Sequence, residues 1–281
     1  MAITNFIPTV WSENLYQALD KKYVAVANCN REFEGDIASK GSVVKICGVG
    51  DIAVGDYTKN VDMNDPQTLS DTVRELTIDR AKYFNFQIDD VDRAQATPKL
   101  MDAAMRVAAD SLACEADKYI YELCASVHPT LIPTVVDETT IIKELLKARQ
   151  TLLENGVTDF SEVVLEISPS VATLLMQSEI KLDTNNSDLI HNGYLGSFAG
   201  CQIFVSANIP CVRDGMYINS SCVLRSKRAV AFAEQLSEVE AYRPEKRFAD
   251  AVKGLHLYGA EIVYASELVP LYFSVMSPEG N

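Results

Sequence analysis

The segment Gly48-Val49-Gly50-Asp51-Ile52-Ala53 fits the relaxed dinucleotide fingerprint G-x-G-x-x-A and follows residues that read as a strand. Such a turn works by opening a helix whose free N–H groups face the pyrophosphate. Here Val54-Gly55-Asp56-Tyr57 continues in an extended pattern with another glycine, and Asp51 sets a carboxylate where the phosphate would lie. A glycine-relieved bend between strands is the better reading. Asp183-Thr184-Asn185-Asn186-Ser187-Asp188 begins like a calcium loop, but it lacks glycine at the sixth place and carries Tyr194 where a bidentate glutamate belongs. It reads as a solvated loop. Asp89, Asp90 and Asp92 stand at a strand-to-helix junction, where acidic side chains favour the helix start without any metal. The histidines His128, His191 and His256 form no local metal pair, and neither a G-x-S-x-G elbow nor a P-loop occurs. The sequence therefore designates no catalytic, cofactor-binding or metal-binding residue and does not read as an enzyme. The enzymatic alternative is a nucleotide-dependent cytoplasmic protein built around Gly48 and Gly50, which requires a helix directly after Gly50.

The elements around these residues are more informative. Thr72 to Gln95 contains a long alternation in which Leu76, Ile78, Phe84, Phe86 and Ile88 share one parity and Glu75, Thr77, Asp79, Asn85, Gln87 and Asp89 the other. Read as one strand, Val73 to Ile88 spans about 50 Å, well beyond the usual strand. Arg80 and Lys82 interrupt its apolar face, so the far half is expected to leave the parent core and lie on another subunit. A helix over about 97–127 follows, with Thr97 as cap and Pro98 in its first turn. Its apolar stripe is Met101, Met105, Ala108, Leu112, Ala116, Tyr119, Leu123 and Val127.

At 281 residues and 48% hydrophobic content the chain can bury a substantial core. It shows no signal-peptide pattern at its start and no run of eighteen apolar residues, so neither export nor membrane insertion is expected. The seven cysteines include no C-x-x-C pair and read as reduced core residues. A net charge of -14 argues against gripping nucleic acid, because such binding releases counterions through lysine and arginine. Any nucleic acid nearby would be contained rather than bound.

Upstream, Trp11, Leu15 and Leu19 fall four apart with Ser12 as cap, giving a short amphipathic helix in an arm. Ser42–Val49 reads as a strand, Asp51–Tyr57 as a second extended piece, and the polar tract 58–71 as a loop tip. Downstream the pattern is mixed α and β. Thr139–Glu154 is a helix stopped by Asn155-Gly156, Val163–Ile167 a buried strand, and Ser168-Pro169 opens a helix through Leu175. Residues 183–200 read as a loop; Cys201–Val205, Met216–Ile218 and Ala229–Phe232 read as short strands. Gly254–Tyr264 reads as a central strand covered on both faces.

Taken in order, these pieces resemble the major capsid protein of tailed bacteriophages, the Hong Kong 97-type shell fold. The matching stretches are FIPTVWSENLYQAL, GSVVKICGVGDIAVGDY, ELTIDRAKYFNFQIDD with the long helix from Pro98, GYLGSFAGCQIFVSANIP, and RSKRAVAFAEQLSEVEAYRPEKRFADAVKGLHLYGAEIVYASELV. The resemblance spans nearly the whole chain, and its weight lies in the order and lengths of the elements. It implies an α+β fold with an N-terminal arm (1–40) and an extended β-ribbon loop (41–80). It further implies a peripheral domain (81–130 and 235–281) carrying the spine helix, and an axial domain (131–234). The implied function is self-assembly, without catalysis or cofactor, into an icosahedral or prolate head that encloses double-stranded DNA without reading its sequence. The implied location is the virion, assembled in the bacterial cytoplasm without a membrane. Implied partners are further copies of the chain in pentamers and hexamers, a separate scaffolding protein, a portal and a decoration protein. The alternatives are an encapsulin-like cargo compartment and a tail-tube or other virion component. Intersubunit contacts are expected at Trp11, Leu15, Tyr57, Lys59, Arg80, Lys82, Phe84 and Phe86. Some relatives carry a lysine-to-asparagine isopeptide cross-link; Lys59, near the loop tip, is the position to consider here, and a solvated turn lysine is its plainer reading.

Overall fold

A computed structural model describes residues 15, 19, 22–33, 42–49, 54, 56, 59, 71–89, 100–128, 132–178, 193–245 and 249–277. In chain order the strands are β1 (Val43–Val49), β2 (Asp71–Thr77), β3 (Arg80–Asp89), β4 (Thr134–Val135), β5 (Val163–Ile167) and β6 (Tyr194–Phe198). They continue as β7 (Cys201–Val205), β8 (Cys211–Asp214), β9 (Tyr217–Ser226), β10 (Val230–Tyr242), β11 (Ala249–Ile262) and β12 (Leu268–Met276). The helices are α1 (Leu100–Ser126), α2 (Ile141–Glu154) and α3 (Pro169–Gln177). The expected α+β class holds.

Helix α1 runs 27 residues, about 40 Å at the α-helical rise. Its buried line is Ala109, Leu112, Ala113, Ala116, Ile120, Tyr121 and Cys124, rotated from the expected stripe, of which Leu112 and Ala116 remain fully covered. Three alanines along this line let the helix lie close to the sheet beneath, while the bulkier Met105, Tyr119 and Leu123 pack only partly buried on its flanks.

That sheet has the order β10-β11-β3. The alternating run expected as one strand is two: β2 ends at Thr77, and β3 begins at Arg80 in a different sheet. β2 pairs with β1, from Val43↔Thr77 to Val49↔Asp71, while β3 pairs with β11, from Tyr258↔Arg80 to Ala249↔Asp89. The expectation that the far half leaves the parent core is corrected here. β3 finds its hydrogen-bond partners on the edge of β11 in its own chain, and Phe84 and Phe86 pack against the helix core. β11 is central, between β10 and β3, with the helix on one face.

The opposite face carries the β1–β2 ribbon. Val44, Ile46, Leu76 and Ile78 close over Ala231, Ala233 and Leu257 in a small separate core. Gly259 marks the crossing: a Cβ there would stand 2.2 Å from the Thr77 carbonyl oxygen and 3.1 Å from Ile78 Cα. Only glycine lets the two backbones meet this closely. Arg74 adds a bond from its Nη1 to the Ile262 carbonyl at 3.0 Å.

The other sheet runs β4-β12-β9-β5-β7-β6, with β8 on β9. Helices α2 and α3 cover one face through Ile141, Leu145, Leu152, Val171 and Leu175, against Leu165, Ile167, Ile203 and Leu224. Ser168 caps α3, accepting from the Val171 amide at 3.5 Å, with Pro169 in the first turn. β9 serves two cores by alternation: Cys222 and Leu224 face these helices, whereas Val223 faces the core under α1. β6 lies inside the expected 183–200 loop. β9, β10 and β11 run longer than expected, and β12, expected with the peripheral part, pairs with β9 in this sheet.

Candidate functional site

Leu15 and Leu19 are both helical and both 1% exposed, in agreement with the four-residue spacing, but they sit in the subunit's own core. Leu15, expected at an intersubunit contact, is covered within its own subunit. Just beyond, residues 23–31 form a short turn with a 3-10 segment at Val26–Asn28 and a bridge from Asn30 to Ala231. Side chains from α1, the β10-β11-β3 sheet and the β5/β9 sheet converge on this turn, and they are the most deeply buried charged groups among the described residues.

Arg225 of β9 and Glu166 of β5 are both 0% exposed. They project from the face opposite α2 and α3, because Leu165 and Leu224 occupy the other parity. The guanidinium pairs with the carboxylate as a fork, Nε to Oε2 at 3.0 Å and Nη2 to Oε1 at 3.1 Å. It also donates to the carbonyls of Asn28 at 2.8 Å and Ala25 at 3.0 Å. Asn28 closes the circuit through Nδ2 to Glu166 Oε1 at 3.2 Å. A buried charge pair is costly unless the remaining donors are used, and here two carbonyls of the turn take two more of the guanidinium N–H groups.

Asp117 of α1, also 0% exposed, accepts the amides of Val24, Ala25 and Val26 at 3.1, 2.9 and 3.1 Å. Burial pushes its carboxyl up to about 6, against the pull of those amides and assisted by the charge of Glu166. Glu234 of β10 receives the Tyr23 hydroxyl, Arg31 Nη2 at 2.7 Å and His256 Nε2 at 2.8 Å. Burial opposes its ionisation, yet His256, Tyr23 and Arg31 together hold its carboxyl below the usual range. The turn is thus bonded to α1, to the β10-β11-β3 sheet and to the β5/β9 sheet at once.

Of the remaining expected contact residues, Arg80, Lys82, Phe84 and Phe86 have partners within the subunit. Arg80 lies over the Tyr119 ring at 4.9 Å, and Lys82 bonds Glu115 at 2.9 Å. Phe84 and Phe86 stack with centroids 6.0 Å apart, and Phe84 covers Gly254, whose Cβ would meet its ring at 2.3 Å. Lys59 is exposed in a turn. Trp11 and Tyr57 lie outside the described residues. Apolar side chains that do face outward include Tyr83 at 78%, Ile132 at 82% and Val54 at 97% exposure.

Gly48, the first glycine of the dinucleotide-like motif, is paired with Thr72 inside the β1–β2 ladder; residues 50–53 lie outside the described residues. The calcium-like tract 183–188, His191, Asp90 and Asp92 also lie outside them. Six cysteines, Cys29, Cys114, Cys124, Cys201, Cys211 and Cys222, carry free thiols, and burial pushes Cys29 up to about 11 and Cys124 up to about 12. Among the described residues no cluster of metal-ligating side chains occurs, and no helix is long and apolar enough to cross a membrane.

No family model matches the sequence, and no curated protein matches it. Solved structures do. A chain from Mycobacterium phage Che8 superposes with a TM-score of 0.66 at 28% identity, covering 89% of this chain and 91% of that one. The capsid structure of Cyanophage P-SCSP1u gives a TM-score of 0.65 at 15% identity, with 91% and 89% covered. A virus-like particle from Pyrococcus furiosus gives 0.53 at 13% identity, with 94% and 98% covered.

Proposed function

We propose that this chain, which has the Hong Kong 97-type fold of tailed-phage capsid subunits, is a major capsid protein whose copies assemble into a closed head shell. The observation that carries the reading is the full-length match in fold, over about nine tenths of both chains, to phage capsid structures. The internal architecture agrees with it. The ribbon, the spine helix and a turn locked into three elements are devices for holding extended segments at fixed angles.

In this reading α1 and the β10-β11-β3 sheet form the peripheral unit. The seven-stranded sheet with α2 and α3, now including β12, forms the axial unit around the symmetry axes. Residues up to about 40 form the arm, and 41–80 the ribbon loop that reaches a neighbour through its tip. The shell has no catalytic task, contains double-stranded DNA without reading it, and is assembled in the host cytoplasm with a separate scaffolding protein, a portal and a decoration protein. The acidic balance suits a wall that contains DNA rather than one that adheres to it.

Expression of the chain alone, viewed by negative-stain electron microscopy alongside light-scattering mass, is expected to give closed shells, sheets or hexamers. A strictly monomeric or dimeric species, unchanged when neighbouring genes are co-expressed, would overturn the reading. Shells filled with protein cargo in place of DNA would assign the compartment alternative. The exposed turn position of Lys59 leads to a second expectation: particles boiled in detergent should migrate as a single band of 31.0 kDa. A ladder of higher bands, lost on Lys59→Arg, would show a covalent cross-link instead.

A further inference from the structure

Helix α2 ends on Asn155-Gly156, and both residues are exposed. The end is a Schellman motif. The Gly156 amide donates to the Leu153 carbonyl at 3.0 Å and the Val157 amide to the Leu152 carbonyl at 3.0 Å, with Gly156 in the left-handed region at φ +92°. Leu152 and Val157 both belong to the core under α2 and α3. The Asn155 side chain reaches out of the helix, and its Nδ2 donates to the Ser266 carbonyl at 2.7 Å. Ser266 lies in the 3-10 segment Ala265–Glu267, through which the chain passes from β11 to β12 and so from one sheet to the other. Arg228 grips the same segment with a fork to Glu267.

Asparagine followed by glycine is also a reactive pair, because no side chain crowds the glycine nitrogen as it approaches the asparagine Cγ. The space here is open: a Cβ on Gly156 would meet nothing within 4 Å. We propose that Asn155 is a self-modification site, at which the Gly156 nitrogen displaces the side-chain amide and the closed end of α2 restrains the step.

The reaction balances as a hydrolysis. The Gly156 nitrogen gives its proton to solvent and bonds to Asn155 Cγ; the Cγ–Nδ2 bond breaks, and ammonia leaves with a proton returned from water. One water molecule then opens the five-membered succinimide. Opening at Cγ gives aspartate, and opening at the main-chain carbonyl gives isoaspartate, with the chain rerouted through Cβ and Cγ.

Three restraints oppose it in the folded turn. The N–H of the attacking nitrogen is committed to Leu153, and the departing nitrogen to Ser266. Asn155 also holds a helical ψ of 1°, and its Cα–C bond must rotate to carry the Gly156 nitrogen to Cγ, which breaks the motif. The step therefore runs in molecules whose last turn of α2 has opened. It is one-way. A carboxylate at position 155 offers only acceptors to the Ser266 carbonyl and adds negative charge at the carbonyl end of the helix. Isoaspartate lengthens the main chain inside the motif. Either product leaves α2 detached from the β11–β12 connection.

The test follows acid at position 155 by peptide mapping and mass spectrometry, with the full chain held in mildly alkaline buffer, folded and in urea. Conversion is expected in urea, and about ten- to a hundredfold more slowly in the folded protein, as the net worth of the bonds that must open requires. Gly156→Ala should slow the reaction in urea by crowding the nitrogen. Asn155→Asp, which carries the product from the start, should speed amide hydrogen exchange at residues 155–157 and 265–267 several-fold. No conversion in urea sinks the site, equal rates folded and unfolded sink the restraint, and unchanged exchange in Asn155→Asp sinks the release. If that variant fails to fold, aged parent protein separated by ion exchange supplies the same comparison. None of these readouts requires particles, so the site stands or falls apart from the shell reading.

Discussion

Arg225→Ala is expected to destabilise the subunit by about 3–5 kcal/mol, because it leaves the Glu166 carboxylate buried and unpaired. The loss is spread over three places. Glu166 keeps only Asn28 as a donor, the Asn28 carbonyl loses its Arg225 bond inside the core, and the Ala25 carbonyl is left with the Asn28 amide and the Cys29 thiol. Net stabilities of folded domains are of the order of 5–15 kcal/mol, so this change alone should remove most soluble subunit and all particles. Urea denaturation of the unassembled chain measures the loss, and particle yield follows it. Arg225→Lys should recover part of the stability, since a point charge satisfies Glu166 but cannot form the fork or reach both carbonyls. Arg225→Met combined with Glu166→Met should cost less than either single change, because neither charge is then stranded. An Arg225→Ala protein as stable as the parent would mean that the network is not ionic as described.

Gly259→Val is expected to lift the ribbon from the sheet. The obstacle to a side chain there is the backbone of Thr77 and Ile78, which cannot swing aside as a flexible side chain can. Overpacking of this kind costs about 1–3 kcal/mol when the structure yields locally. Here the easier response is separation of the small core formed by Val44, Ile46, Leu76 and Ile78, since a two-stranded ribbon is marginal without a supporting surface. The expected outcome is a folded subunit whose residues 43–77 become sensitive to protease and which no longer closes shells. Unchanged protease resistance and unchanged particles would show that the crossing tolerates an added side chain.

The sequence carried the elements whose pattern is local. α2 ends at the Asn155-Gly156 stop, β5 and β7 have the expected bounds, and α1 is unmistakable by length. Patterns that depend on distant partners were harder to read. The alternation from Val73 to Ile88 is continuous because β2 and β3 each bury one face, and nothing local says that they bury it in different sheets. β6 was hidden by glycine and serine, which are tolerated there because Gly196 and Ser197 pair with Ile203 and Gln202. The buried acids left only a faint mark. Glu166 interrupts the apolar run VVLEI, and Asp117 falls between Ala116 and Lys118, where a reading weighted toward large apolar residues places the wet side of the helix. A charge inside an otherwise fully covered strand was the signal that could have found Glu166; its partner Arg225, some sixty residues on, could not be paired with it from spacing.

β3 lies in the chain between the ribbon and the spine helix, and its two ends are the only covalent route from one to the other on that side. A pull that draws the ribbon away from the helix is therefore applied lengthwise along β3. In that geometry the bonds from Arg80↔Tyr258 to Asp89↔Ala249 are loaded in shear and resist together, whereas a strand peeled from one end breaks them singly. The order of elements thus turns an ordinary edge strand into a tension member: the same ladder that only modestly stabilises the resting subunit is mounted in the direction in which it is mechanically strongest.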